Sequence, residues 1–214
     1  MPLQLVILDC DGVLVDSEHL AHEVLVEVVA ELGLSLSVAE ALRLFQGGKM
    51  ADCLSALQER LGRALPEGFE SHLRARTAER FRKDLRPVPG VVAALDRIKL
   101  PYCVATSGPR AKVELSLTLT GLLDRFQGRI FSGYEVGSWK PDPGLFLHAA
   151  RALGADPAAC AVVEDSLPGI QAGIAAGMYV FAYRPDGLAT ELEGRGVRVF
   201  RAMEQLPGLL ARMA

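Results

Sequence analysis

The sequence has no apolar run approaching the roughly 18 residues that a membrane-spanning helix requires. This holds although 50% of its 214 residues are hydrophobic and its mean hydropathy is +0.23. No basic region precedes an apolar segment at the amino terminus, and no small-residue cleavage site follows one, so no secretory signal is expected. Cysteine is scarce. Cys10, Cys53, Cys103 and Cys160 form no CxxC spacing, which argues against a zinc site or a disulfide framework and predicts reduced core residues in a cytoplasmic protein. Positive charge is not in surplus either. With acids and bases interspersed at a net charge of −3, no basic stripe is available for nucleic acid. What remains is a chain with neither a membrane nor a nucleic-acid partner, long enough for one domain or for one carrying a large insertion.

What is present begins with LQLVILDCDGVLVDS, residues 3–17. Residues 3–8, apolar and rich in branched side chains, read as a strand buried on both faces, as in a parallel sheet. Asp9 and Asp11 follow two apart, so in extended backbone their side chains leave the same face, and Gly12 lets the chain turn sharply beyond them. Two carboxylates that close repel. Either one holds a proton or a cation sits between them, and hard oxygen ligands select Mg2+. Alone, the pair is equally readable as an acidic turn.

Helical text follows. Ser17 is a candidate cap supported by the charge of Asp16, and SEHLAHEVLVEVVAELG keeps helical spacing up to Gly33. VAEALRLF, ADCLSALQERLG and EGFESHLRARTAERFRKD read as further helices, separated by LSLS, QGGK and RALP. A helical unit over residues 17–85 is therefore inserted after the acidic turn, where it would serve as a lid with hinges near 16–17 and 85–87. After a proline-rich re-entry the text alternates, with strands at YCVAT, RIFSG, CAVVED, MYVFAY and VRVF. Helices fall between them, one at GLATELEGRG, and a last one starts at Met203. The expected fold class is α/β, a three-layer Rossmann-like parallel sheet core over residues 1–16 and 86–214 with an inserted small helical cap over 17–85. In such folds ligands bind beyond the carboxyl ends of the strands.

The candidate chemistry sits at those ends: Asp9 and Asp11, Thr106 and Ser107, Lys140, then Glu164 and Asp165. A phosphoryl group with Mg2+ requires such a set, namely acids for the metal, donors for nonbridging oxygens, a fixed positive charge and a nucleophile. Each piece has a plainer reading. Thr106 and Ser107 could cap the helix near Pro109, Lys140 could be a solvated loop lysine, and Glu164 with Asp165 could cap the helix after them.

DCDGVLVDS, ATSG, KPDPGLF and EDSLPGIQAG together resemble the four signature motifs of the haloacid dehalogenase superfamily, and the resemblance runs along essentially the whole chain. Within it the sequence is similar to the branch of beta-phosphoglucomutase-like and 6-phosphogluconate phosphatase-like proteins, most clearly in FSGYEVGSWKPDPGLFLHAARALG. The resemblance implies that Asp9 attacks phosphorus to form an aspartyl phosphate, while Asp11 protonates the leaving oxygen and later takes a proton from water. It also implies that Asp9, Asp165, the main-chain carbonyl of Asp11 and Glu164 hold Mg2+. Thr106, with backbone N–H groups at Ser107 and near Gly12, would bind phosphoryl oxygens, and Lys140 would offset their charge. The acid at Asp11 separates the sequence from the dehalogenases that act on carbon.

The expected activity is that of a monomeric, Mg2+-dependent phosphatase acting on a small phosphorylated metabolite, a sugar phosphate or a sugar-acid phosphate such as 6-phosphogluconate. A phosphosugar mutase of the beta-phosphoglucomutase type is the alternative, but the histidine and basic residues of the mutase pattern are replaced by Ala21, Gln46 and Met50. From another class, a noncatalytic or signalling phosphoryl-aspartate protein would keep the fold; a receiver domain, however, is shorter and uninterrupted. In the cap loop FQGGKMADC, Gly47 and Gly48 let backbone approach a ligand and Lys49 is expected to meet an anionic group of the substrate or to be solvated. His19 and His22 are expected at the surface or hinge, and Trp139 as loop packing.

Overall fold

The first strand is apolar at every position because both faces of the sheet it belongs to are covered. In a computed structural model that describes residues 2–185 and 196–213, β1 (Leu5–Leu8) pairs in parallel with β2 (Tyr102–Thr106) and with β4 (Cys160–Glu164). With β3 (Ile130–Ser132), β5 (Tyr179–Tyr183) and β6 (Val197–Phe200) they form one parallel sheet in the order β3-β2-β1-β4-β5-β6. Register sets Ile7 opposite Cys103 on one side and Val162 on the other.

The helices are, in chain order, α1 (Glu18–Ala30), α2 (Val38–Phe45), α3 (Met50–Leu61), α4 (Phe69–Asp84) and α5 (Val91–Arg97). They continue with α6 (Arg110–Leu119), α7 (Gly133–Val136), α8 (Gly144–Ala152), α9 (Leu167–Ala175) and α10 (Leu206–Ala211). Side chains alternate across a strand. Val6 and Leu8 accordingly join the layer of Leu95, Val113, Leu117 and Leu210 from α5, α6 and α10. Leu5 and Ile7 join the opposite layer with Leu145, Phe146 and Ala149 of α8 and Ala172 of α9. These are the three layers expected. The described strands match the predicted ones, and the closing helix begins as a 3-10 turn at Met203. The helix predicted over 187–196 falls, apart from Gly196, outside the described residues.

Helices α1 to α4 bury an apolar cluster of their own, in which Val24, Leu25, Val28 and Val29 of α1 face Leu57 of α3 and Leu73 of α4. The spacing on α1 is that of one helix face. Local signals place the ends: Ser37 and Glu40 form a reciprocal capping box before α2, and Gly62 closes α3 at φ +65. The two segments that lead into and out of this cluster are tied to each other. Asp16 N–H donates to the Arg86 carbonyl at 3.0 Å and Val88 N–H to the Leu14 carbonyl at 3.0 Å. Phe81 on α4 packs into the sheet-side cluster instead, so α4 spans both. All four cysteines are free and buried, and no described helix is long and apolar enough to cross a membrane.

Leu57 is fully buried within the α1–α4 cluster. Leu57→Ala is expected to lower the free energy of unfolding by about 2–5 kcal/mol in urea titration, since the cavity left adds to the lost transfer energy.

Candidate active site

β1 and β4 are neighbours at the point where the strand order reverses, where the crevice for a ligand opens. Asp9 follows β1, Glu164 ends β4 and Asp165 comes next, so parallel pairing alone brings three acids to one edge. One oxygen of each lies within 4.8 Å of the others. Lys140, 4% exposed and hence no solvated loop lysine, donates to Asp9 Oδ1 at 2.6 Å and also to Glu164. Glu164 accepts in addition from Ser166 Oγ at 2.9 Å and from the Asp165 and Ser166 N–H groups at 3.2 Å.

Burial pushes the Asp9 carboxyl up to about 7 against the pull of Lys140. Asp165 is raised well above the ordinary carboxylate range by burial, with Glu164, Glu18 and Asp9 adding to it. Lys140 itself is held charged: burial disfavours its ammonium, but Asp9 and Glu164 outweigh that. Three carboxylates against one ammonium leave negative charge in excess, and an oxygen donor set of this kind suits a hard divalent cation. Gly12 contributes room. At φ +75 its absent Cβ would stand 2.1 Å from Asp165 Oδ2, so the acid-bearing turn closes on Asp165 only without a side chain.

Asp11 takes a separate place. Its side chain is outside that three-acid group among the described residues, and its Oδ1 accepts from Ser17 Oγ at 2.5 Å and from Lys112 Nζ at 2.8 Å. Burial pushes its carboxyl up, yet Lys112 and the Ser17 hydroxyl outweigh burial and leave it below its ordinary value. Each of the two aspartates thus has a lysine of its own, Lys140 for Asp9 and Lys112 for Asp11. Ser17 opens α1 without capping it, because its hydroxyl is spent on Asp11.

Asp9, Asp11, Lys140, Thr106 and Ser107 line a cavity of about 540 Å³ between the sheet edge and α1 to α4. Thr106 Oγ1 accepts from Gly108 N–H at 3.0 Å, and Ser107 Oγ is buried without a partner among the described residues. Neither caps α6, whose N-cap is Pro109, and α9 is capped by Ser166 rather than by Glu164 or Asp165. Gly47 and Gly48 line the same cavity. The loop carrying them rests on the turn after β4: a Cβ on Gly47 would meet Ser166 Cβ at 2.5 Å, and Gln46 Nε2 donates to Asp165 Oδ2 at 2.9 Å. Lys49 is elsewhere, its ammonium 4.3 Å above the Trp139 ring. Trp139 packs the loop as expected, edge-on to Tyr134.

His22, in the second turn of α1, corrects the expectation of a surface or hinge residue. It is buried in the cavity wall, and its Nδ1 donates to the Glu18 carbonyl at 2.7 Å; burial lowers its pKa. His19 is exposed and pairs with Glu23 at 3.1 Å. Glu18, Gln46, Arg74 and Lys112 come from helices or their ends, where no strand-end signal marks them. A hydroxyl six residues beyond Asp11 was the signal that Ser17 offered.

Acids and a buried lysine gathered at the carboxyl edge of a parallel sheet, beneath a helical insertion, define a Rossmann-like enzyme with a carboxylate-centred site. The family model of haloacid dehalogenase-like hydrolases matches residues 3–177, and the chain belongs to that family. It is 35% identical over 208 residues to 6-phosphogluconate phosphatase of Escherichia coli, covering 97% of this chain and 94% of that one. It is 32% identical to hexitol phosphatase B of the same organism, over 80% of this chain and 79% of that one. Among solved structures, a haloacid dehalogenase family hydrolase from Deinococcus radiodurans with bound phosphate and sodium superposes with a TM-score of 0.79. That match is 29% identical and covers 99% of this chain and 96% of the other.

Glu18 lines the cavity, and burial, with Asp11 adding to it, pushes its carboxyl from an ordinary 4.5 up to about 8. A carboxyl raised by folding stabilises the fold while protonated and loses that contribution as pH rises from about 4.5 through about 8. In metal-free protein, the unfolding temperature of Glu18→Gln relative to wild type is therefore expected to increase between pH 5 and pH 9. An offset independent of pH would contradict this.

Proposed function

We propose that the protein is a Mg2+-dependent phosphatase that hydrolyses a small phosphorylated metabolite, a sugar phosphate or sugar-acid phosphate such as 6-phosphogluconate, through an aspartyl phosphate on Asp9. The observation that carries this reading is Asp9 on the cavity floor, joined to buried Lys140 and set beside two further carboxylates. Similarity to two sugar-phosphate phosphatases supports the substrate class.

Lys140 engages Asp9 Oδ1, which leaves Oδ2 as the attacking atom. The bond from Oδ2 to phosphorus forms as the bond to the leaving oxygen breaks, and Asp11 delivers a proton to that oxygen. A doubly charged phosphoryl group entering beside Asp11 raises the pKa that Lys112 and Ser17 hold down, and so provides the protonated form. Water then attacks phosphorus, its proton passes to Asp11 and Asp9 is released. Such acid and base assistance typically contributes about 10²- to 10⁴-fold. Thr106, whose oxygen accepts from Gly108, keeps its own proton for a phosphoryl oxygen, as does the Ser107 backbone N–H.

Mg2+ would be held by Asp9, Asp165 and the main-chain carbonyl of Asp11, with Glu164 fixing the arrangement through Lys140 and Ser166. When bound it supplies charge neutralisation at the nonbridging oxygens. Residues 17–85 act as the cap, and Gly47 and Gly48 bring its loop to the substrate. The positions of the mutase pattern favour water over a sugar hydroxyl as acceptor: Ala21 and Met50 carry no base, and the Gln46 amide is occupied by Asp165. Four buried free thiols suit a reducing cytoplasm.

With Mg2+ the protein is expected to release phosphate from 6-phosphogluconate continuously, and EDTA to abolish the release. Asp9→Asn is expected to lower kcat by at least about 10³-fold, as loss of a nucleophile does. Release at the wild-type rate from the variant would refute the aspartyl route. Glucose 6-phosphate formed from beta-glucose 1-phosphate without free phosphate would point to the mutase instead.

A further inference from the structure

Helix α4 turns one face to the cavity, with Leu73, Arg74, Thr77, Ala78, Phe81 and Arg82 at helical spacing. The Lys112 ammonium lies 5.9 Å from the Phe81 ring and bonds Asp11, so the carboxyl-terminal end of α4 stands over the acids. Arg74 comes seven residues earlier, about 10 Å along the helix axis. It marks the remote end of the cavity.

Its guanidinium is fixed in place there. Nε and Nη2 donate to Glu70 at 2.9 and 2.6 Å, and Nη2 donates to the Tyr134 hydroxyl at 2.9 Å. A guanidinium has five N–H donors, so both hydrogens on Nη1 remain without a partner among the described residues. Tyr134 also lines the cavity. Having accepted from Arg74, it keeps its own O–H to donate. The acids in the cavity wall are Asp9, Asp11 and Glu18, after β1 or in the first turn of α1. At the remote end Glu70 already offsets the Arg74 charge, and what remains free there is donors alone, the Nη1 hydrogens and the Tyr134 hydroxyl, which together select an acceptor-only group.

We propose that Arg74, with Tyr134, binds a carboxylate at the end of the substrate remote from the phosphate, and so selects sugar-acid phosphates over neutral ones. This rests on the phosphatase reading above. The role foreseen for Lys49, which is stacked on Trp139, passes to Arg74. Because Arg74 stands on α4 and Tyr134 on α7, the two are brought together only with the helical insertion seated on the sheet as it is here.

Sorbitol 6-phosphate tests the point, since it differs from 6-phosphogluconate only in carrying CH2OH where the acid carries its carboxylate. Wild type is expected to prefer the acid in kcat/KM. Arg74→Leu should reduce kcat/KM for 6-phosphogluconate about 10- to 100-fold, mainly through KM, as loss of a charged hydrogen bond does. Its activity on sorbitol 6-phosphate and p-nitrophenyl phosphate should stay within about twofold, which also reports an intact fold, and Arg74→Lys should recover part of the preference. Equal loss on acid and neutral esters would show that Arg74 only holds the insertion in place and would overturn the proposal. So would a wild type indifferent to the carboxylate. Release from none of the three esters by wild type would instead bring down the phosphatase reading itself.

Discussion

An ammonium buried between two carboxylates is the constraint on which the rest of this structure depends. Lys140 enters from the segment between α7 and α8, and its Nζ bonds Asp9 after β1 and Glu164 at the end of β4. Removing one member of such a buried set leaves an uncompensated charge, at a cost of about 3–5 kcal/mol. Three chain segments distant in sequence are thereby held to one geometry, with the lysine offsetting part of the charge that the acids bring together.

The same economy of charge divides two neighbouring aspartates into two kinds. Asp9 is raised to about 7 because burial outweighs the attraction of its lysine. Asp11 is lowered because Lys112 and Ser17 outweigh burial. The division comes from where each counterion stands and what else meets the carboxyl: Lys140 in the segment between α7 and α8 for Asp9, Lys112 on α6 together with Ser17 for Asp11. Sheet geometry puts the acids in place; α6 and the first turn of α1 make them unequal.

The parts of the molecule legible in the sequence are those fixed by local pattern. Strand β1 is readable because a strand covered on both faces is apolar throughout, and Asp9, Thr106, Glu164 and Asp165 are readable because polar residues interrupt apolar strands where the sheet ends. Lys112 and Gln46 are not. Their partners lie 101 and 119 residues away, and nothing in a helix or interhelical loop marks which solvent-compatible side chain will turn toward an acid. Ser17 illustrates competition between local and distant partners: the residue type fits a helix cap, but a buried carboxylate is the stronger acceptor. His22 lies inside because α1 is covered on more of its circumference than its apolar residues alone indicate, and Lys49 was displaced by an aromatic ring that only tertiary packing brings within reach.

The paired backbone at the entry and exit of the helical insertion, Asp16 with Arg86 and Leu14 with Val88, means that the chain leaves and re-enters the core at two adjacent points. From the side of the core, everything between them is a single loop whose closure has already been made, and the entropy of closing a loop grows only slowly with its length. Residues far from both the ends and the acids, such as those around Gly62 between α3 and α4, are therefore where length can change most cheaply, whereas Ser17, Gln46 and Phe81 tie the insertion to the acids and to the sheet.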